Sequence, residues 1–131
     1  MKPEQTDKLI HYRLEQARET LREAEILDRE ASWRGVINRS YYAMFYAVLA
    51  LAVKYQESPS KHSGVIAFFD RQFIKTGLFP KDLSRKLHIA FDQRQVFDYG
   101  EINLAGKDSA QEALADAREF IDAIEQYLRK K

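Results

Sequence analysis

The sequence predicts an all-α protein, an up-and-down bundle of four long helices and a shorter fifth. Three observations support this class. Apolar residues recur at spacings of three and four along most of the chain, only five glycines and three prolines interrupt the 131 residues, and no segment has the alternation of a strand. Since a chain of this length normally builds one core, we predict a single domain over residues 1–131.

The first two predicted helices differ in how many of their faces are apolar. From Leu9 to Ala31 charged residues surround one apolar stripe, which predicts an amphipathic helix; the stripe consists of Ile10, Leu14, Ala17, Leu21, Ala24 and Leu27. From Ser32 to Tyr55 apolar residues cover nearly every side. We therefore expect the second helix to be central and buried, with Ser32 as its cap.

Local signals divide the rest of the chain into three further helices. Ser58 followed by Pro59 predicts the start of the third helix, and Pro80 the start of the fourth. The apolar side of the fourth helix contains Leu83, Leu87, Ala90, Phe91 and Phe97. The polar, glycine-containing stretch DYGEINLAGKDS predicts a loop, and the fifth helix runs from about Asp108 to Arg129.

Composition restricts the classes of function. The net charge of +1 predicts no global attraction to nucleic acid, and the absence of cysteine excludes disulfides and thiol nucleophiles. The longest uncharged run, Ser40 to Val53, is shorter than the roughly 18 residues of a membrane span. With neither a signal segment nor a metal or cofactor motif, we expect a cytoplasmic protein without membrane contact, metal or cofactor.

Arg94 interrupts the apolar stripe of the fourth helix. It follows Leu87 and Ala90 in the same register, where an apolar side chain is expected. Burial of an unpaired guanidinium is costly, so Arg94 requires a partner. One interpretation is an ion pair with Asp98, four residues later; the other is a cleft in which Arg94 binds phosphate.

The beginning of the second helix carries polar residues on one face. Asn38, Arg39, Tyr42 and Tyr46 follow one another at spacings of one, three and four. The tyrosines could simply complete the core with their hydroxyls in water, or this face could form one wall of a cleft. Such a cleft would use arginine for phosphate contacts and tyrosine for base stacking.

Lys61, His62 and Tyr99 are weaker candidates. His62 lies at the start of the third predicted helix, where histidine is commonly a surface residue or a hydrogen-bonding residue at the core edge, and less often catalytic. Tyr99 follows Asp98 at the end of the fourth helix, from which its phenol could reach a neighbouring cleft or serve only to end the helix.

Three motifs together resemble the HEPN superfamily. NRSYYAMFYA, SKHSGVIAFF and RQVFDYG, in this order in an all-helical chain, are similar to its small stand-alone prokaryotic branch, and the likeness covers nearly the whole chain. The resemblance implies a helical homodimer. Many members act as the toxin or partner of a minimal nucleotidyltransferase, and others are metal-independent ribonucleases with an arginine followed by a histidine.

Carried onto this sequence, the resemblance matches Arg94 to the motif arginine, but no histidine follows it; Asp98 and Tyr99 occupy that region. The resulting hypothesis is a dimeric binding module or toxin component that pairs with a minimal nucleotidyltransferase, in which Tyr99 could accept a nucleotidyl group. Its cleft would bind a nucleotide or RNA through Asn38, Arg39, Tyr42, Tyr46, Lys61, His62 and Arg94.

Two alternatives remain open at this stage. One is a metal-independent ribonuclease that uses Arg94 with Asp98, Tyr99 or His62, since cleavage at a ribose phosphate requires a proton acceptor and a proton donor. The other is a structural helical dimerisation domain without a ligand.

Overall fold

The structure is an all-α bundle, which confirms the predicted fold class. A computed structural model describes residues 2–99 and 106–130, the side chains of residues 96–99 excepted, and this part of the chain contains no strand. Its helices are α1 (Pro3–Arg29), α2 (Trp33–Lys54), α3 (His62–Phe69), α4 (Lys81–Tyr99) and α5 (Lys107–Arg129). Four of these are long and α3 is short, as the sequence predicts.

Helix α2 is the central element and packs against all four other helices. Its buried side chains cover more than one face, with Ile37, Tyr41 and Leu51 on one side and Val36, Ala43 and Ala50 on another. By length and composition alone α2 could cross a membrane, but 61% of its most apolar stretch is buried inside the bundle. The apolar residues of α2 therefore form the protein's core.

Helices α1 and α2 form a tight pair. Ala31 adopts a left-handed conformation (φ 57°), and the Ser32 amide donates to the Leu27 carbonyl at 2.9 Å, so the chain reverses within three residues. Gly35 allows close approach just beyond this turn, because a Cβ atom there would lie 2.8 Å from Cδ1 of Leu27. The turn places the beginning of α2 beside the end of α1.

Small residues bring α2 and α5 together. One core cluster contains the buried alanines of both helices, Ala43 and Ala47 on α2 and Ala113 and Ala117 on α5. Arg18 on α1 adds a polar connection to α5, donating to Asp122 at 2.8 Å and also to Glu125. The buried alanines therefore permit α2 and α5 to pack at a short distance.

Two helix starts differ from the sequence-based prediction. Helix α1 begins at Pro3 rather than Leu9, because Pro suits the first helical position and the Thr6 amide reaches the Lys2 carbonyl at 3.0 Å. The predicted start of the third helix at Ser58 and Pro59 is wrong. Lys61 is extended (ψ 156°), and the first helical hydrogen bond runs from the Val65 amide to the Lys61 carbonyl at 2.9 Å.

Helix α3 continues into a π-helical turn, Asp70–Ile74, and both are anchored by aromatic packing. Phe69 and Phe73 stack on Phe79, with ring centroids 5.9 and 5.3 Å away, and Phe69 also contacts Phe120 of α5. These contacts fix α3 against the bundle and hold its first residue, His62, beside α2.

Candidate anion-binding cleft

Three arginines meet at an open cleft of about 290 Å³ near the turn between α1 and α2. We call it the arginine cleft; it is lined by Leu27, Arg34, Gly35, Ile37, Asn38, Arg39 and Arg94. Arg34 and Arg39 come from the first turns of α2, whereas Arg94 comes from the second half of α4. The cleft thus concentrates positive charge in a protein whose net charge is only +1.

Arg39 is held in place by its neighbours. Its Nε and Nη2 donate to Oδ1 of Asn38 at 3.1 and 2.9 Å, and Nη1 lies 3.4 Å from a Glu23 carboxylate oxygen. Its guanidinium carbon lies 5.1 Å from the centre of the Tyr42 ring. Because the Glu23 contact is long and partly exposed, it offsets little of the Arg39 charge.

Arg94 approaches the same tyrosine from another helix. Its guanidinium carbon lies 5.4 Å from the ring centre of Tyr42 and 5.8 Å from that of Tyr41, within the range of cation–π attraction. Arg94 is neither fully buried nor fully exposed, and it forms part of the cleft wall. The structure thus places Arg94 in the wall of a cleft, and phosphate binding there stays a prediction. The alternative pair with Asp98 involves a side chain outside the described residues.

Tyr41 and His62 form a hydrogen-bonded pair directly behind Arg94. The Tyr41 hydroxyl lies 2.7 Å from Nδ1 of His62, and Tyr41 is fully buried. The imidazole also packs against Phe45 and Phe91, with ring centroids 4.7 and 6.4 Å away. His62 is therefore the core-edge hydrogen-bonding residue that its position predicts, but it faces the wall of the arginine cleft rather than a plain core.

Burial and the arginine charge set the protonation of this pair. Burial raises the pKa of the Tyr41 hydroxyl far above its usual range, so Tyr41 keeps its proton. Burial, followed by the positive charge of Arg94, lowers the pKa of His62. Neutral imidazole is therefore favoured, and its Nδ1 can accept the Tyr41 proton while Nε2 carries its own.

The remaining predicted residues lie at different distances from this centre. Tyr46 contacts Tyr42, with ring centroids 6.1 Å apart, but lines a separate groove of about 310 Å³ between α1 and α2. That groove, the glutamate groove, is lined by Tyr12, Glu15, Gln16, Glu19, Thr20, Glu23, Arg39 and Tyr46. Lys61 is exposed beside His62. Asp98 and Tyr99 belong to α4, but their side chains lie outside the described residues.

Two residues of the site escape the sequence interpretation. Arg34 precedes Asn38 by four positions and so shares its helical face, a spacing that could have indicated it. Tyr41 belongs by periodicity to the core, and only the position of His62 gives its hydroxyl a role. Long-range packing, rather than any local motif, joins Tyr41 to the cleft.

The arrangement suits an anionic, planar ligand. Guanidinium groups bind phosphate through paired N–H donors, and three of them reach one cleft. The Tyr42 ring beside them offers a surface on which a base could stack. The fold and the site therefore define a helical-bundle protein with a cationic, aromatic cleft.

Comparison with known proteins identifies the family. The HEPN domain matches residues 10–127, and the chain belongs to the HEPN family. A UPF0332 protein of Thermotoga maritima is 38% identical over 122 residues, covering 93% of this chain and 92% of that protein. The UPF0332 protein glr0978 of Gloeobacter violaceus is 33% identical and covers 98% of each chain. A Methanocaldococcus jannaschii protein named "Putative toxin MJ0142" is 32% identical, covering 90% of this chain and 80% of its own.

Proposed function

We propose that this HEPN protein is a toxin-like binding module that holds the phosphates of single-stranded RNA or of a nucleotide in the arginine cleft. The observation that carries the proposal is the convergence of Arg34, Arg39 and Arg94 from two helices on one open cleft. Membership of the HEPN family and the name of the Methanocaldococcus relative support the toxin-like role.

The geometry favours a single strand over a duplex. The cleft measures about 290 Å³, which is room for a phosphate and its sugar. Tyr42 lies against both Arg39 and Arg94, so a base that leaves its stack could rest on the same wall. Phosphate contact with nearby aromatic stacking is typical of single-strand binding.

Binding of a fluorescent single-stranded RNA, 2′-O-methylated so that it cannot be cleaved, tests the proposal. Anisotropy titrations at several salt concentrations would compare the wild type with Arg34→Ala, Arg39→Ala and Arg94→Ala. Each change should weaken binding and reduce the slope of log K against log salt by about 0.7 for each phosphate that the variant no longer neutralises.

Arg118→Ala is the matched control. Arg118 is exposed on α5, where it pairs with Glu25 at 3.0 Å, and it is not part of the arginine cleft. Arg118→Ala removes one positive charge, as each cleft variant does, and should leave the RNA affinity and the salt slope nearly unchanged. Equal decreases of affinity in all four variants would indicate general charge attraction and contradict a specific cleft.

A homodimer and a minimal nucleotidyltransferase partner complete the proposal. In this arrangement the arginine clefts of two copies, or a cleft and the partner's active site, would act on one ligand. Light scattering after size-exclusion chromatography should give twice the 15.3 kDa chain mass. Co-expression with a nucleotidyltransferase encoded beside the gene should yield a stable complex; a monomer that binds no such protein would contradict both parts.

Metal-independent RNA cleavage is a second candidate, favoured by the Tyr41–His62 pair. His62 and Arg94 contact the same Tyr41 ring, at distances of 5.6 and 5.8 Å from its centre. In such a reaction the 2′-oxygen attacks phosphorus and the bond from phosphorus to the 5′-oxygen breaks. In the tautomer whose Nδ1–H donates to the Tyr41 hydroxyl oxygen, neutral His62 would take the 2′ proton at Nε2, and water would supply the proton to the leaving oxygen.

A cleavage assay separates this candidate from binding alone. Purified protein would be incubated with mixed cellular RNA in the presence of EDTA, beside Arg94→Ala and His62→Gln. Cleavage by the wild type and by neither variant would support the enzyme. No cleavage by a folded wild type that still binds the methylated RNA would leave the binding function and exclude the ribonuclease.

A further inference from the structure

His62 is connected to the arginine cleft although it does not line it. Tyr41 lies between them: its hydroxyl reaches Nδ1 of His62 at 2.7 Å, and its ring lies 5.8 Å from the guanidinium carbon of Arg94. Phe91, one helical turn before Arg94 on α4, packs against both the Tyr41 and His62 rings. The imidazole and the guanidinium therefore contact one aromatic cluster.

The hydrogen bond between Tyr41 and His62 can exist in either protonation state. With neutral imidazole, the Tyr41 hydroxyl donates to Nδ1; with imidazolium, Nδ1–H donates to the hydroxyl oxygen. Protonation therefore requires only rotation of the hydroxyl and no movement of the buried tyrosine ring. The positive charge of Arg94 disfavours protonation of His62, and a bound anion would offset that charge.

We propose that phosphate binding in the arginine cleft and proton uptake by His62 are coupled, so that His62 is a positioning residue that makes ligand affinity depend on pH. This inference rests on the proposed phosphate-binding function. An anion at Arg94 offsets the charge that disfavours imidazolium, and, by reciprocity, imidazolium strengthens the attraction for the anion.

The other ionisable groups near His62 leave Arg94 as the main charge on it. On α2, Tyr41 keeps its proton and Tyr42 packs edge-on against the imidazole, and Lys61 next to His62 in sequence is exposed. The other nearby charges, Asp70 and Asp92, line a separate surface groove together with Phe91. Asp70 pairs there with His88 at 2.7 Å. Of the described residues, Arg94 is the charge that acts on the pKa of His62.

Titration of the three histidines by NMR tests the coupling directly. Carbon–proton correlation spectra of the imidazole Cε1 would be recorded across pH, with and without saturating 2′-O-methylated single-stranded RNA. The signal of His62 is assigned by its disappearance in His62→Gln. The pKa of His62 should rise when RNA binds, whereas the signal of His11, which is exposed on α1, should not respond to RNA.

The pH profile of affinity gives an independent readout. Wild-type binding should tighten as pH falls through the titration of His62, by about tenfold for each unit of pKa increase. His62→Gln should remove this dependence of affinity on pH. His11→Gln, the matched control, should retain the full wild-type profile.

The outcomes distinguish the coupling from the phosphate-binding function on which it rests. An RNA-induced rise in the pKa of His62, together with a flat profile in His62→Gln, supports the coupling. Normal RNA binding with an unchanged His62 titration overturns the coupling but leaves the proposed function intact. Failure of the folded wild type to bind RNA at any pH overturns the proposed function and the coupling together.

Discussion

The hydroxyl of Tyr41 lies 2.7 Å from Nδ1 of His62, which joins the central helix to the first residue of α3. This contact holds the imidazole against the Tyr41 side chain, whose ring centre lies 5.8 Å from the guanidinium carbon of Arg94. A core tyrosine thereby becomes part of the candidate site. Several consequences of this geometry are measurable.

Tyr41→Phe should lower the free energy of unfolding by about 0.5 to 1.5 kcal/mol, because it removes one hydrogen bond and leaves the apolar packing intact. Urea denaturation measures this difference. Tyr12→Phe is the control, since Tyr12 is 57% exposed on α1 and should have almost no effect. Equal stability of the two variants would mean that the Tyr41–His62 bond contributes nothing.

His62 should make the folded protein less stable at acid pH. Its pKa is lowered in the folded state, so below the ordinary pKa near 6.5 the unfolded chain binds more protons than the folded one. The free energy of unfolding of the wild type, minus that of His62→Gln, should therefore decrease as pH falls from about 7.5 to 5. Urea denaturation at several pH values measures both free energies. Taking their difference cancels the effect of the carboxylates, which titrate in both proteins. A pH-independent difference would contradict the lowered pKa.

Arg94→Lys should weaken RNA binding by roughly fivefold to tenfold, although the charge is retained. Lysine provides neither the flat contact with the Tyr41 and Tyr42 rings nor the paired donors, which together contribute about 1 to 1.5 kcal/mol. Anisotropy measures the affinity, and the salt slope should stay near the wild-type value because the charge remains. Wild-type affinity in Arg94→Lys would show that Arg94 acts only as a point charge.

Ala117→Leu should destabilise the bundle by about 1 to 3 kcal/mol, because Ala117 is fully buried where α5 meets the core. Ala115→Leu, two residues earlier on the exposed side of α5, should change stability by less than about 0.5 kcal/mol. Thermal or urea denaturation compares the pair. A tolerated leucine at position 117 would mean that α5 packs less closely than the structure indicates.

Local signals predicted some helix boundaries well and others poorly. Ser32 and Tyr55 flank α2 as predicted, since the apolar run itself ends there. Ser58 and Pro59 resemble a helix start, yet the helical bonding begins at Lys61, because the burial of Val65 and Ile66 decides where α3 docks. A capping signal states only that a helix can begin, whereas packing determines whether it does.

The sequence by itself determined the all-α class, the central position of α2 and the anomaly of Arg94, because each depends on the periodicity of side chains along one helix. Tertiary structure alone decided that Arg34 joins Arg39 and Arg94 at one cleft, and that Tyr41 meets His62. Arg94 and His62 come from helices other than α2, and contacts between helices depend on crossing geometry, which no spacing within a single helix records.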